Sequence, residues 1–265
     1  MKEFTTRKAS DGGHWYTQTG ELLSAVRGAK GQPVKPTLRH ARVMHLAPGV
    51  TTIIKAADRP MLTNYIKRQV LYAALTLPRV EGEPEELYID RILDDAAEHA
   101  YRAAERGSEL HGKIEHGLLD AMSDDPYVLA VAAELDRVAP GLRGRWRCEL
   151  PCVSRFGYAT KSDLSIDEPE CKWVVDIKTK DGDLDSLQIF DDHYLQLAAT
   201  REALQMPDAQ CAILFLSRTE PAARLVIANE DDVQQGWRVF KSLLYYYQTK
   251  TNYRPNWADD VCKTF

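Results

Sequence analysis

Asp176 and Lys178 stand two residues apart in Trp173-Val174-Val175-Asp176-Ile177-Lys178-Thr179, a run whose β-branched and aromatic residues otherwise read as a buried strand. Alternation along a strand sends both charges to the same face of a sheet. Charges in such a strand are costly unless they pair with each other or hold an ion. Taken alone, the pair serves equally well as a structural salt bridge. Asp163 lies in a second strand-like segment, Tyr158–Ile166. If those two strands pair, the carboxylates converge, and two hard oxygen donors on a rigid sheet suit Mg²⁺ or Mn²⁺. A metal there lowers the pKa of a bound water and neutralises charge on a phosphoryl group. Lys178 is then suited to orient or deprotonate the attacking water, or to stabilise developing negative charge. The Ile177 carbonyl, between the two charged residues, is a natural further ligand. His111 offers a nitrogen donor that favours tolerance of Mn²⁺. Glu149, one strand earlier, is placed for a second ion or a water.

These residues need specific elements to bring them together. From Tyr88, apolar or small residues recur at Ile92, Ala96, Ala100, Ala103, Gly107, Leu110, Ile114, Leu118 and Met122, a helical period. It places Gly107, His111 and Glu115 on one face. A mid-helix glycine costs about 1 kcal/mol relative to alanine, so Gly107 predicts the close approach of another backbone. Asp125-Pro126 reads as a cap and first-turn proline opening a helix to about Ala139. After Pro140-Gly141, the segments Arg147–Ser154, Tyr158–Ile166 and Lys172–Lys180 read as an antiparallel meander. A helix over Asp185–Leu204 would carry Gln196. Cys211–Ser217 and Arg224–Ala228 are further strands, and Asp231–Tyr247 is a closing helix with Val233, Trp237, Phe240 and Leu244 inward. Upstream, a helix follows Pro60 with Leu62, Tyr65, Ile66 and Val70, and Pro78 to Pro84 is a break. Pro48-Gly49 turns into a short element with Thr51 or Thr52 as N-cap. Residues 1–47 read as a hairpin or extended arm. The order predicts an α/β protein with a central mixed β-sheet flanked by helices. Residues 1–85 would form a basic arm and helical extension, and residues 86–265 the core.

Net charge is −5, which argues against a nucleic-acid partner until its distribution is considered. Residues 1–80 hold 13 Lys and Arg against 4 Asp and Glu, whereas the remainder holds 21 against 35. That asymmetry predicts a basic surface for a polyanion beside an acidic body that holds cations. Candidate phosphate contacts are Arg39, Arg42, Lys55, Arg59, Lys67 and Arg68, with Thr51 and Thr52. No apolar run reaches the ~18 residues of a membrane span, and no signal peptide opens the sequence. The five cysteines are scattered and form no CxxC pair, which disfavours a disulfide framework, a zinc ribbon or an iron–sulfur cluster and predicts a reducing cytoplasm. His111, Glu115 and His116 fit neither zinc-protease spacing. Gly28-Ala29-Lys30-Gly31 lacks the spacing of a phosphate loop, so no ATPase is indicated. Tyr245-Tyr246-Tyr247 is suited to stacking on bases, although packing at the end of an amphipathic helix is the favoured role.

The set Gly107-x-x-x-His111, Glu149, Asp163, Asp176-Ile177-Lys178 and Gln196 resembles the PD-(D/E)XK nuclease superfamily, and within it the branch of RecB and lambda exonuclease. Order and spacing match from about residue 88 to 217. Pro48-Gly49-Val50-Thr51-Thr52-Ile53 is similar to a Pro-Ser-Val-Thr-Thr-Ile stretch of phage-encoded members. The resemblance implies a restriction-endonuclease-like core and metal-dependent hydrolysis of DNA phosphodiesters. His111, Asp163, Asp176 and the Ile177 carbonyl would hold Mg²⁺ or Mn²⁺, one ion or two, with Lys178 acting on the nucleophile. Glu149 and Gln196 would assist, Gln196 from a Gln-x-x-x-Tyr helix motif whose tyrosine is Thr200 here. A glycine expected near the first acidic strand is Thr160. The implied activity is that of an exonuclease in phage recombination or replication, acting in the cytoplasm of a bacterial host. The implied partners are DNA and a single-strand annealing or recombination protein, with no membrane, and both a monomer and a homo-oligomer fit. A structure-specific endonuclease and a non-catalytic DNA-binding module on a nuclease-like scaffold are the alternatives.

Overall fold

The computed structural model describes residues 13–28, 31–57, 60–120, 123–182, 184–185 and 187–264. The chain opens with β1 (Trp15–Tyr16), β2 (Val26–Arg27), β3 (Pro33–Val34), α1 (Leu38–Met44), β4 (Ala47–Pro48), α2 (Val50–Ile54) and α3 (Pro60–Thr76). It continues through α4 (Glu85–Leu119), α5 (Pro126–Val138), β5 (Arg147–Ser154), β6 (Tyr158–Glu168) and β7 (Cys171–Lys180). It closes with α6 (Asp191–Ala203), β8 (Gln210–Ser217), β9 (Ala223–Ile227) and α7 (Glu230–Thr251).

The core is a mixed five-stranded sheet in the order β5-β6-β7-β8-β9. β5, β6 and β7 form the expected antiparallel meander, β8 runs parallel to β7, and β9 returns antiparallel. Parallel neighbours need a crossover, and α6 supplies it. Helices cover both faces. Leu110, Ile114 and Leu118 of α4 and Val128, Val131 and Leu135 of α5 bury Leu164, Ile166, Val175, Ile177, Leu214 and Leu216 on one side. Leu197 and Ala198 of α6 and Val233 of α7 bury Val174, Cys211, Ile213 and Phe215 on the other. The alternation in β7 is therefore a real division. Odd residues face α4 and α5, and even residues, Asp176 and Lys178 included, face the α6 side.

Local chemistry fixes the element ends. The Asp125 carboxylate caps α5 by accepting from the Tyr127 N–H at 2.9 Å, with Pro126 in the first turn. Asn229 caps α7 by accepting from Asp231 and Asp232. Gly236 lets α7 lie directly on α6, because a Cβ there would come within 2.8 Å of the Tyr194 carbonyl oxygen. Arg201 of α6 forks onto Glu230 of α7 at 2.8 and 3.1 Å.

The N-terminal region departs from expectation in three places. α1 was not foreseen. Thr51 and Thr52 are not N-caps, since Gly49 takes that position in α2. The Thr52 hydroxyl instead accepts from the His14 N–H at 3.2 Å. The helix expected after Pro60 is α3, on which Leu62, Tyr65, Ile66 and Leu75 are exposed and Ala73 is buried where α3 packs along α4. Residues 13–47 contain a hairpin, β2 against β3, as expected, but do not form an extended arm. Trp15, Ala41 and Leu46 form a buried cluster with Tyr253, whose hydroxyl lies 2.9 and 2.6 Å from the carbonyl oxygens of Ala41 and Leu46. Further on, α6 begins at Asp191 and not at Asp185, with Leu187 and Ile189 packed on the core as loop. Among the described residues, no helix is long and apolar enough to cross a membrane.

Candidate functional site

The site grows from a fork in the sheet. β6 and β7 pair from Glu168↔Cys171 to Leu164↔Val175, and the ladder stops there. The next residues, Asp163 and Asp176, face each other across the opening. The Asp163 carboxylate replaces the missing ladder bond, accepting from the Ile177 N–H at 2.7 Å. On the other side, β5 and β6 pair at Cys148↔Leu164 and Leu150↔Ser162, which sets Glu149 opposite Asp163. Glu149 has φ 52°, in the left-handed region. That conformation costs a non-glycine residue about 1–3 kcal/mol and re-aims its side chain. Three carboxylates thus stand in a row across three adjacent strands.

His111 of α4, Glu149 and Asp163 bring one ligand atom each within 4.8 Å of one another. This differs from the sequence-derived ligand set. Glu149, expected to serve a second ion or a water, stands inside the cluster, where it is ion-paired with Lys161. Asp176 stands outside it, turned to Lys178, with its Oδ2 2.5 Å from the ammonium. That oxygen is sealed from solvent, and the Lys178 ammonium is its counter-charge. Gln196 of α6 accepts from Lys178 Nζ at 3.1 Å.

Electrostatics separates the roles. Burial, and after it the Asp176 charge, raises Asp163 to about 7 against the pull of Lys178 and the Ile177 N–H. Burial lowers His111, more than the Asp176 charge raises it. His111 is therefore neutral at pH 7, the form that binds metals. Burial would lower Lys178, but Asp176 and Asp163 outweigh it and hold the amine above its ordinary value. Lys178 is accordingly held as a cation between the two carboxylates.

Gly107 does mark a close approach, but to a side chain and not a backbone. A Cβ there would sit 3.1 Å from the Thr179 hydroxyl, one residue beyond Lys178. Thr200 and Thr160 are both buried. Lys161 was missed. Its signal was present, because Lys161-Ser162-Asp163 repeats on β6 the two-residue spacing of Asp176-Ile177-Lys178.

The expected phosphate contacts are dispersed. Thr51, Arg39, Lys55, Lys67 and Arg68 are exposed on α2, α1 and α3 or just after α2, and none belongs to the acidic cluster. Arg42 is exposed and donates to the Thr251 carbonyl at 2.6 Å. Arg59 lies outside the described residues.

No protein-family model matches this chain, and no curated protein matches it. Among solved structures, one titled "Crystal structure of SSO0001" is similar over 74% of this chain and 89% of its own, at 15% identity and a TM-score of 0.32. A likeness that distant carries no weight for function.

Proposed function

We propose that this chain is a metal-dependent deoxyribonuclease of the PD-(D/E)XK kind, built on a restriction-endonuclease-like core and degrading DNA from its ends. The observation that carries the reading is the row Glu149, Asp163 and Asp176 at the fork of the sheet, with His111 on one side and Lys178 on the other. A structural salt bridge accounts for Asp176 and Lys178 but not for a neutral histidine among two more carboxylates, one of them strained.

The donor set suits Mg²⁺ or Mn²⁺: two carboxylates and an imidazole, with the Ile177 carbonyl and Asp176 as further oxygens. Such an ion supplies Lewis acidity toward a phosphoryl oxygen and a bound water of lowered pKa. The protein's own groups do the rest. Lys178, fixed by Asp176 and Gln196, holds a positive charge where negative charge develops on the phosphoryl group. Lys161 offsets the charge of Glu149, so the acidic row is tolerated before any ion arrives. Phage recombination or replication is the setting we assign, with a single-strand annealing or recombination protein as partner.

Asp176→Ala or Lys178→Ala should lower cleavage of end-labelled linear DNA in Mg²⁺ or Mn²⁺ by at least ~100-fold, with an unchanged circular dichroism spectrum. Full activity in either variant removes the assignment. Covalently closed circular DNA, cut as fast as linear DNA, would replace the exonuclease by an endonuclease.

A further inference from the structure

We infer that a second cleft, where the N-terminal segment meets the end of α7, binds one nucleotide unit of a DNA strand. The cleft measures about 380 Å³, within the ~300–1,000 Å³ of small-ligand pockets. Thr52 and Lys55 line it from α2 and the residue that follows, Trp15 from β1, and Tyr246, Tyr247 and Lys250 from α7. Among the described residues none that line it is acidic, although the chain as a whole carries net negative charge. Two lysines with no carboxylate among the described lining residues select an anion.

The remaining features narrow that anion. Lys250 Nζ stands 5.4 Å over the Tyr246 ring, which holds the ammonium at the cleft by a cation–π contact. Lys55 is exposed and takes part in no ion pair among the described residues. The Thr52 hydroxyl accepts from His14 and keeps its own proton to donate. These three groups suit a phosphate. Beside them, Leu38, Ala56 and the half-buried Tyr247 give an apolar wall suited to the flat face of a base. Trp15 is 2% exposed and its Nε1 has no partner, a sealed donor in the wall that a ligand acceptor or a water would satisfy. A phosphate with a flat heterocycle is a nucleotide.

The occupant is a unit of the strand because α2, which lines the cleft, is joined to the strand that carries the acidic cluster. Gly49, the N-cap of α2, bridges to Ala159 on β6, and β6 goes on to carry Lys161 and Asp163. This step rests on the nuclease reading. The cleft itself does not.

The test is a titration of the full chain in EDTA with a deoxynucleoside 5′-monophosphate, with the matching deoxynucleoside, and with a short single-stranded oligonucleotide. Binding is read by calorimetry. The monophosphate should saturate, and the nucleoside should bind at least tenfold more weakly. The oligonucleotide should displace the monophosphate. Lys55→Glu with Lys250→Glu should abolish saturation, whereas Asp176→Ala should leave it unchanged. Both lysines are exposed, so the double variant should stay folded, with an unchanged circular dichroism spectrum. Absence of saturation in the wild type overturns the proposal, as does saturation unchanged in the double variant. A monophosphate that the oligonucleotide does not displace overturns the strand as occupant. Cleavage of linear DNA is measured alongside. A wild type that cleaves but binds no nucleotide loses the cleft and keeps the nuclease, and one that binds but never cleaves loses the nuclease and keeps the cleft.

Discussion

Asp163 holds its proton to about 7 because burial and the neighbouring Asp176 disfavour its charge. Its ordinary value is 3.8, so between about pH 4 and pH 7 the folded chain binds a proton that the unfolded chain releases. Stability from this group is therefore present at low pH and lost as pH rises to about 7. Asp163→Asn keeps the shape and removes the titration. In EDTA the variant should melt higher than the wild type at about pH 8, with the gap closing near pH 4. An equal gap at both values would mean that Asp163 is not strained by its charge. Mg²⁺ should raise the melting temperature of the wild type more than that of the variant at about pH 8, since an ion that binds only the folded state stabilises it. Glu149 makes a separate residue-scale case. At φ 52° a side chain is strained and glycine is not. Glu149→Gly should be more stable than Glu149→Ala by about 1–2 kcal/mol in urea unfolding, while both lose metal-dependent cleavage. Equal stability of the two would show that the kink is relaxed in solution.

At the scale of elements, glycines discriminate tight contacts from loose ones. A Cβ on Gly236 would meet the backbone of α6 at 2.8 Å, whereas nothing lies within 4 Å of a Cβ on Gly112 of α4. Gly112→Ala should stabilise the protein by about 0.5–1 kcal/mol through helix propensity alone. Gly236→Ala should destabilise it by about 1–3 kcal/mol, and should also weaken catalysis by shifting α6 and with it the Gln196 support of Lys178. Denaturant midpoints of the two variants moving in the same direction would contradict this packing. Much of this layer was legible in the sequence, because period and caps are local. The long period of α4, the cap at Asp125-Pro126 and the strands either side of Gly157 follow from neighbours in the chain. α1 was not legible, since seven residues with three cationic or imidazole side chains show no apolar period. The start of α6 was placed too early because Leu187 and Ile189, apolar residues of a packed loop, mimic a helical face. At the site, Asp176 and Lys178 were visible from alternation within one strand. The place of Glu149 was not, because it depends on the register between β5 and β6 and on a left-handed kink that no local pattern announces.

At the scale of the molecule, the division of charge makes a claim that a salt titration reads directly. The exposed cations Arg39, Arg42, Lys67 and Arg68 belong to the first 80 residues, where basic residues outnumber acidic ones 13 to 4. Lys172, by contrast, lies at the start of β7, at the opposite end from Lys178, and is paired with Asp208 at 3.2 Å. DNA releases condensed counterions in proportion to the phosphates a protein neutralises, so log K falls with log salt at a slope of about −0.9 per contact on duplex. If the basic third carries the DNA, each neutralised contact should reduce that slope by nearly one unit. Lys67→Ala and Arg68→Ala together should flatten the slope by up to ~2 and weaken binding uniformly across sequences, because phosphate contacts position without reading bases. Lys172→Ala should leave the slope unchanged. Measuring in EDTA keeps the DNA intact and separates binding from cleavage. A slope unmoved by alanine at all four N-terminal cations would place the DNA on another face. The charge asymmetry would then be a matter of solubility and not of recognition.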